Sequence, residues 1–302
     1  MEGWKSGEMN YYLIPGTGIY GGIKVAAGFA EALNRLGAPC CLATPDGTAP
    51  AWFQASVATV SHDTALASAR VSDNILFSLP HDYPKLKGTA ARLVFHCQGT
   101  DPLIDPILAD PNVALLSCWP QATTYMRDKS GRNPIEVGLF ISPCFFYDGA
   151  PKLHGTVAFM PRRGRDIAAA CQAALPNLRF VPIEDATEAD VARVMKSSEY
   201  YLATAVNEWF GLPAFEAMAA GCVVLSVPAI GGMDYLRNDS NALVVEPEQL
   251  PARLAWISAD ERHDIRARLR DHAVATAHLF RPAEFHRRLT TLLKSELSYL
   301  QT

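Results

Sequence analysis

The chain has 302 residues, of which 49% are hydrophobic and 19% charged, with a formal net charge of −4. At roughly 100–200 residues per domain this length fits two domains, and the composition is that of a globular chain rather than a disordered one. The mild acidity argues against nucleic acid as the main partner, and no apolar run reaches the roughly 18–20 residues that span a bilayer.

The opening residues, Met1 to Glu8, carry no apolar stretch of the kind a secretory leader needs. The seven cysteines are scattered, with no Cys-x-x-Cys pair, and read as reduced, buried thiols. The expected location is cytoplasmic. Tyr11–Pro15 then reads as a short buried strand, followed by a glycine-rich turn, Gly16 to Gly22. Apolar residues at Ile23, Ala26, Ala30 and Leu33 recur every three or four positions, the spacing of a helix that ends at Gly37 and Pro39. A second strand, Cys40–Ala43, completes a β-turn-α-β opening, the start of a parallel sheet with helices on its faces. Strands are expected again at Asn74–Leu79, Arg92–His96 and Val113–Ser117.

Ser142–His154 is rich in Pro, Gly and aromatics without a clear period, which places a domain boundary near residue 150. A second alternation follows. Strands are expected at Gly155–Met160, Arg179–Ile183, Tyr200–Ala205, Val223–Val227 and Ala242–Glu246, with helices at Arg165–Ala174, Glu188–Ser197 and Pro213–Ala220. Helices around Arg262–Ala275 and Pro282–Leu300 close the chain. The expected fold is α/β: residues 1–150 and 151–282 form two Rossmann-like βα domains facing each other across a ligand cleft, and 283–302 form a last helix.

Two motifs compete for function. Gly16-Thr17-Gly18-Ile19-Tyr20-Gly21 is a literal G-x-G-x-x-G between a strand and a helix. Such glycines let a backbone approach phosphate, and a helix start favours an anion. A dinucleotide site also needs an acidic residue at the end of the second strand, where Asp46 comes late, behind Pro45. Turn-forming glycines without a ligand are the alternative.

The second motif is more specific. Asn207 to Gly221, NEWFGLPAFEAMAAG, sets Glu208 and Glu216 eight positions apart. Pro213 near a first helical turn puts Glu208 in the preceding loop and Glu216 about one turn inside the helix. The N–H groups around Phe210, Gly211 and Leu212 then point out of the helix start. This gives an anion site with a carboxylate on either side, the combination a sugar nucleotide needs. The dipole alone also favours acids there, by about 0.3–1 kcal/mol each, so the pair has a purely structural reading as well.

With its internal F-G-L-P and following E-A-M-A-x-G, this stretch resembles the signature of retaining GT-B glycosyltransferases of the family 4 type. Val223–Val227, Gly231-Gly232 and Asn241–Pro247 continue the resemblance, which is strong over 155–250 and looser over 1–150. It implies that Glu208 holds donor-sugar hydroxyls, that Glu216 holds the ribose, and that the amides of Phe210, Gly211 and Leu212 lie near sugar and diphosphate. It places Gly21 and Gly22 in a donor-binding first loop. Arg163 stands for the usual basic residue, Arg162 for an arginine usual further upstream where this chain has Ala158 or Phe159, and His96 for a histidine facing the donor sugar. The last helix is implied to cross back onto the first domain. Two departures stand out: Trp209 where glycine is usual, and Asp234 where glutamate is common.

No two aspartates are separated by a single residue, and no His/Cys cluster has metal-ligand spacing. The charge that grows on a leaving phosphate must then meet arginines and a helix start, which predicts a metal-independent transferase without a cofactor. The expected partners are a nucleotide-sugar donor and a saccharide or lipid-linked acceptor. Arg127, Lys129 and Arg132 add the expectation of peripheral association with the inner face of a membrane. A catalytically inert GT-B-like binding protein and an NAD-binding Rossmann enzyme are the rival readings.

Overall fold

The computed structural model describes residues 8–301. The reading of the first seven residues lies outside them. The chain separates into two units: one runs up to Phe140 and resumes at Ala283, and the other is Ile141–Pro282.

The first unit runs β1 (Asn10–Leu13), helix Gly21–Arg35, β2 (Cys40–Thr44), β3 (Thr59–Ser61), helix His62–Ser68, β4 (Asn74–Phe77), β5 (Arg92–Cys97), β6 (Val113–Ser117), helix Pro120–Ser130 and β7 (Ile135–Glu136). All neighbours pair in parallel, in the order β3-β2-β1-β4-β5-β6-β7. The second unit runs β8 (Leu153–Phe159), helix Arg165–Ala174, β9 (Arg179–Pro182), helix Glu188–Ser197, β10 (Ser198–Ala203), helix Leu212–Ala219, β11 (Val223–Ser226), β12 (Leu243–Val244) and helices Leu250–Ser258 and His263–His278. Its parallel order is β12-β11-β10-β8-β9.

Central strands of such sheets are covered by helices on both faces, so they read as continuous apolar runs. β2 and β4 are buried at every position. Edge strands lack that signature. β3 and β7 are only half-buried and have three and two residues, which is why the apolar pattern did not reveal them. Helices His62–Ser68, Pro120–Ser130 and Leu250–Ser258 were likewise not expected from the sequence. The first two bury only one and three residues, too few for a periodic stripe.

Each sheet has one place where the connections turn from one side to the other. Ligands bind at the carboxyl ends of the strands at that point, because the two loops there diverge and leave a crevice. It lies between β1 and β4 in the first unit and between β8 and β10 in the second.

The last helix, Pro282–Leu293, buries Phe285, Leu289 and Leu293, which join Leu297 and Leu300 in the first unit's core. It is shorter than the 282–300 span expected. The chain after it ends in a 3-10 turn, Ser298–Leu300. Two buried asparagines fasten this last turn. Asn10 donates from Nδ2 to the Leu300 carbonyl at 3.0 Å, and Asn74 donates to the Tyr299 carbonyl at 2.9 Å. Ser142–His154 lies in the second unit, where the Tyr147 N–H donates to the Ala219 carbonyl at 2.8 Å.

Candidate functional site

In the second unit the loops after β8 and β10 meet at the switch point. Gly164 has φ +74°, and an added β-carbon would overlap the Thr204 carbonyl oxygen and lie 2.8 Å from its carbon. Only glycine permits both the left-handed backbone and this approach. Thr204 Oγ1 donates to the Arg163 carbonyl at 3.0 Å, so the two loops are fastened together. From them Arg163 Nη1 and Glu208 Oε2 approach to 3.2 Å. Glu208 itself is held by its backbone: its carbonyl accepts from Ile230 N–H at 2.8 Å, and the Trp209 carbonyl accepts from Gly231 N–H. Asn207, just before, has φ +60°, a conformation asparagine tolerates better than most residues.

Gly211 precedes helix Leu212–Ala219 with φ +80° and no side-chain cap. Its carbonyl accepts from Ala214 and Phe215 N–H, at 3.0 and 3.3 Å. Among the described residues nothing accepts from the N–H of Gly211 or Leu212, so these two donors face outward as an anion site requires. Tyr235, which sequence reasoning missed, fixes this start. Its hydroxyl donates to the Gly211 carbonyl at 2.6 Å, and burial, with the Glu208 charge second, pushes its pKa well up and keeps it a donor. The Tyr235 ring lies 4.4 Å from that of Phe215 and 4.9 Å from that of Phe210, an aromatic bed beneath the loop. The only signal in the sequence is an aromatic residue just after Gly231-Gly232.

Glu216 lies one turn into the same helix and is 5% exposed, amid buried Ala214, Phe215, Ala217, Met218 and Ala219. The charges of Glu216 and Glu208 both act on the buried Tyr201 phenol of β10, after burial itself. The structure thus brings Arg163, Glu208, the Gly211–Leu212 donors and Glu216 into one region of one unit. Arg162 is exposed on the loop that carries Arg163, and Asp234 ends a 3-10 turn that starts at Gly232.

In the first unit, helix Gly21–Arg35 starts at Gly21 and Gly22, after Tyr20, with no side-chain cap. At Gly22 an added β-carbon would overlap Gln98 Oε1, so that amide lies directly over the helix start. Gln98 is a second residue that sequence reasoning missed. Its Nε2 donates to Tyr12 Oη at 3.2 Å. Tyr12 Oη is 2.7 Å from His96 Nδ1, and His96 Nε2 is 3.0 Å from Cys118 Sγ. His96 is fully buried with both ring nitrogens engaged, so in this structure it presents no atom to a ligand; it orders the chain that ends at Gln98.

Burial pushes the His96 pKa down to about 3. The unfolded chain takes up that proton near 6.5, and the folded chain does so only near pH 3. Above pH 6.5 the group has no effect. As pH falls below it the unfolded state binds more protons, and stability drops by up to about 1.4 kcal/mol per pH unit. Denaturant midpoints measured from pH 7.5 to 4.5 are expected to fall less steeply in His96→Gln than in the unaltered chain. Parallel curves would refute the buried, neutral ring.

Asp46 serves its own turn: Oδ1 accepts from Thr48 N–H at 3.0 Å and from Thr48 Oγ1 at 2.7 Å, and these bonds hold its pKa below the usual value. Of the basic group on and after helix Pro120–Ser130, Arg132 donates to the Asp110 and Val113 carbonyls, at 2.8 and 2.5 Å, and Lys129 pairs with Asp105 at 3.5 Å. Arg132 is thus engaged within the fold, while Lys129 remains exposed. Among the described residues no helix is long and apolar enough to cross a membrane.

Residues 175–274 match the family model described as Glycosyl transferases group 1. No curated protein matches the sequence. Solved structures do match the fold. Sucrose-phosphate synthase from Thermosynechococcus elongatus superposes with a TM-score of 0.73 at 13% identity, covering 96% of this chain and 99% of that one. The pneumococcal O-GlcNAc transferase GtfA, in complex with UDP and GlcNAc, gives 0.73 at 10% identity, covering 97% and 100%. HepE from Anabaena, in complex with UDP-glucose, gives 0.68 at 12% identity, covering 95% and 99%. The family match spans Glu208, Gly211, Glu216 and Tyr235, and together with the two parallel-sheet units it supports a glycosyltransferase of GT-B fold.

Proposed function

We propose that the chain is a metal-independent, retaining glycosyltransferase of the family 4 type that moves a sugar from a nucleoside diphosphate to a saccharide or lipid-linked acceptor. One observation carries this reading: Glu208 and Glu216 flank an uncapped helix start whose Gly211 and Leu212 N–H groups have no acceptor among the described residues, with Arg163 beside Glu208. Breaking the anomeric C–O bond builds negative charge on the leaving phosphate. Donors and cations already in place stabilise that charge as it develops. Arg163, Arg162 and the Gly211–Leu212 donors serve the phosphates, Glu216 the ribose hydroxyls, and Glu208 the sugar hydroxyls. Gly21 and Gly22 offer a second uncapped helix start in the first unit, with Gln98 above it. His96 acts as a positioning residue through Tyr12 and Gln98.

With both glutamates engaged as hydroxyl acceptors, neither is given the part of nucleophile. The acceptor attacks from the face the phosphate leaves, and the departing phosphate takes its proton. No cofactor takes part. We place the enzyme in the cytoplasm, at the inner membrane face where the acceptor is lipid-linked.

Calorimetry against UDP, GDP, ADP and NAD in the presence of a chelator tests the donor assignment. One diphosphate is expected to bind, and Glu216→Ala is expected to weaken it by about 1–3 kcal/mol, the scale of a charge-assisted hydrogen bond. Binding of NAD alone would make the chain a dinucleotide enzyme instead. Diphosphate binding with no transfer to any acceptor would favour the inert reading, in which Ala158 and Phe159 mark a lost arginine. The anomeric configuration of the product, read by NMR, tests retention.

A further inference from the structure

The Arg163 guanidinium rests on the Glu208 carboxylate, Nη1 to Oε2 3.2 Å. Both backbones are pinned. Thr204 Oγ1 and the close approach of Gly164 to the Thr204 carbonyl fix the Arg163 loop, and the Ile230 and Gly231 N–H groups fix the Glu208 loop. The two loops therefore hold the carboxylate and the guanidinium within reach of each other. Both side chains remain accessible, Arg163 50% and Glu208 28% exposed, so either can change partner.

A sugar donor and its diphosphate product differ in what they offer this pair. The donor brings phosphate for Arg163 and hydroxyls for Glu208, so both charges leave each other for better partners. The bare diphosphate brings only phosphate. Glu208 then competes with that phosphate for Arg163.

We propose that Glu208 is a specificity-determining residue that selects the sugar-bearing donor over the bare nucleoside diphosphate. Its return to Arg163 after transfer displaces the diphosphate product. The inference rests on the transferase reading and goes beyond it in giving Glu208 an unfavourable contribution to binding of the product.

The test is calorimetry with UDP, GDP and ADP at fixed salt in the presence of a chelator, on the unaltered chain, Glu208→Gln, Arg163→Gln and the double variant. Glu208→Gln keeps the side-chain volume and is expected to bind the diphosphate about two- to fivefold tighter, the range of an exposed ion pair. Glu208→Ala, with its melting temperature measured as a check on folding, is expected to change binding in the same direction. In the Arg163→Gln background the gain from Glu208→Gln is expected to shrink, since no pair is left to break. Unchanged or weaker diphosphate binding in both Glu208 variants overturns the inference and leaves the transferase reading standing. An equal gain in both backgrounds also overturns it, because simple repulsion then suffices. An unaltered chain that binds none of the three diphosphates removes both.

Discussion

Gly164→Ala is expected to lower the stability of the second unit by about 2–5 kcal/mol and to loosen diphosphate binding with it. Two costs add. A left-handed backbone at φ +74° costs a non-glycine residue roughly 1–2 kcal/mol. The methyl group would also overlap the Thr204 carbonyl oxygen, and backbone on both sides leaves no flexible side chain to yield, so the overpacking cost of about 1–3 kcal/mol applies. Relief requires the two loops to part, which moves Arg163 away from Glu208. Gly37→Ala separates the terms, because Gly37 has φ +82° with nothing within 4 Å of the added carbon. It is expected to cost only the backbone share, about 1–2 kcal/mol. Chemical denaturation of both variants checks this, and equal losses would mean that the Thr204 contact imposes no strain.

Arg266→Leu is expected to cost about 3–5 kcal/mol, the scale for breaking a buried ion pair from one side. Arg266 and Glu199 are each 6% exposed, and Arg266 Nε lies 3.3 Å from Glu199 Oε1. Arg266 Nη1 also donates to the Ile257 and Ala259 carbonyls, at 2.9 and 2.7 Å, joining the end of helix Leu250–Ser258 to helix His263–His278. Leucine would strand a buried carboxylate and two carbonyls together. Glu199 would keep the Gly155 N–H at 2.8 Å and His154 Nδ1 at 3.1 Å, too little to replace a guanidinium. Adding Glu199→Gln to Arg266→Leu is expected to recover part of the loss, since the stranded charge is gone. A double variant less stable than the single one would show that Glu199 is well solvated without Arg266.

Much of the site was legible in the sequence because its parts are close along the chain. Glu208, Gly211, Pro213 and Glu216 lie within nine residues, so helix geometry alone sets a carboxylate on either side of the helix start. The strand and helix runs were legible for a similar reason: period and burial are linked within one element, and Arg165–Ala174 and Glu188–Ser197 fall where the spacing put them. The sequence showed a histidine at the end of β5 but not its surroundings. Two residues from elsewhere in the chain, Tyr12 and Cys118, engage the ring nitrogens of His96, and burial keeps it neutral.

The sequence by itself therefore determined two βα-alternating units and an acid-flanked helix start, because each depends on residues a few positions apart whose geometry the backbone fixes. Only the tertiary structure decided that Arg163 rests on Glu208 and that Tyr235 secures Gly211, contacts that span 45 and 24 positions. It also decided that Asn10 and Asn74 hold the chain's last turn. Pairs that far apart meet only where strand order and register bring their loops together. That order is set by burial summed over the whole sheet, which no short stretch of sequence encodes.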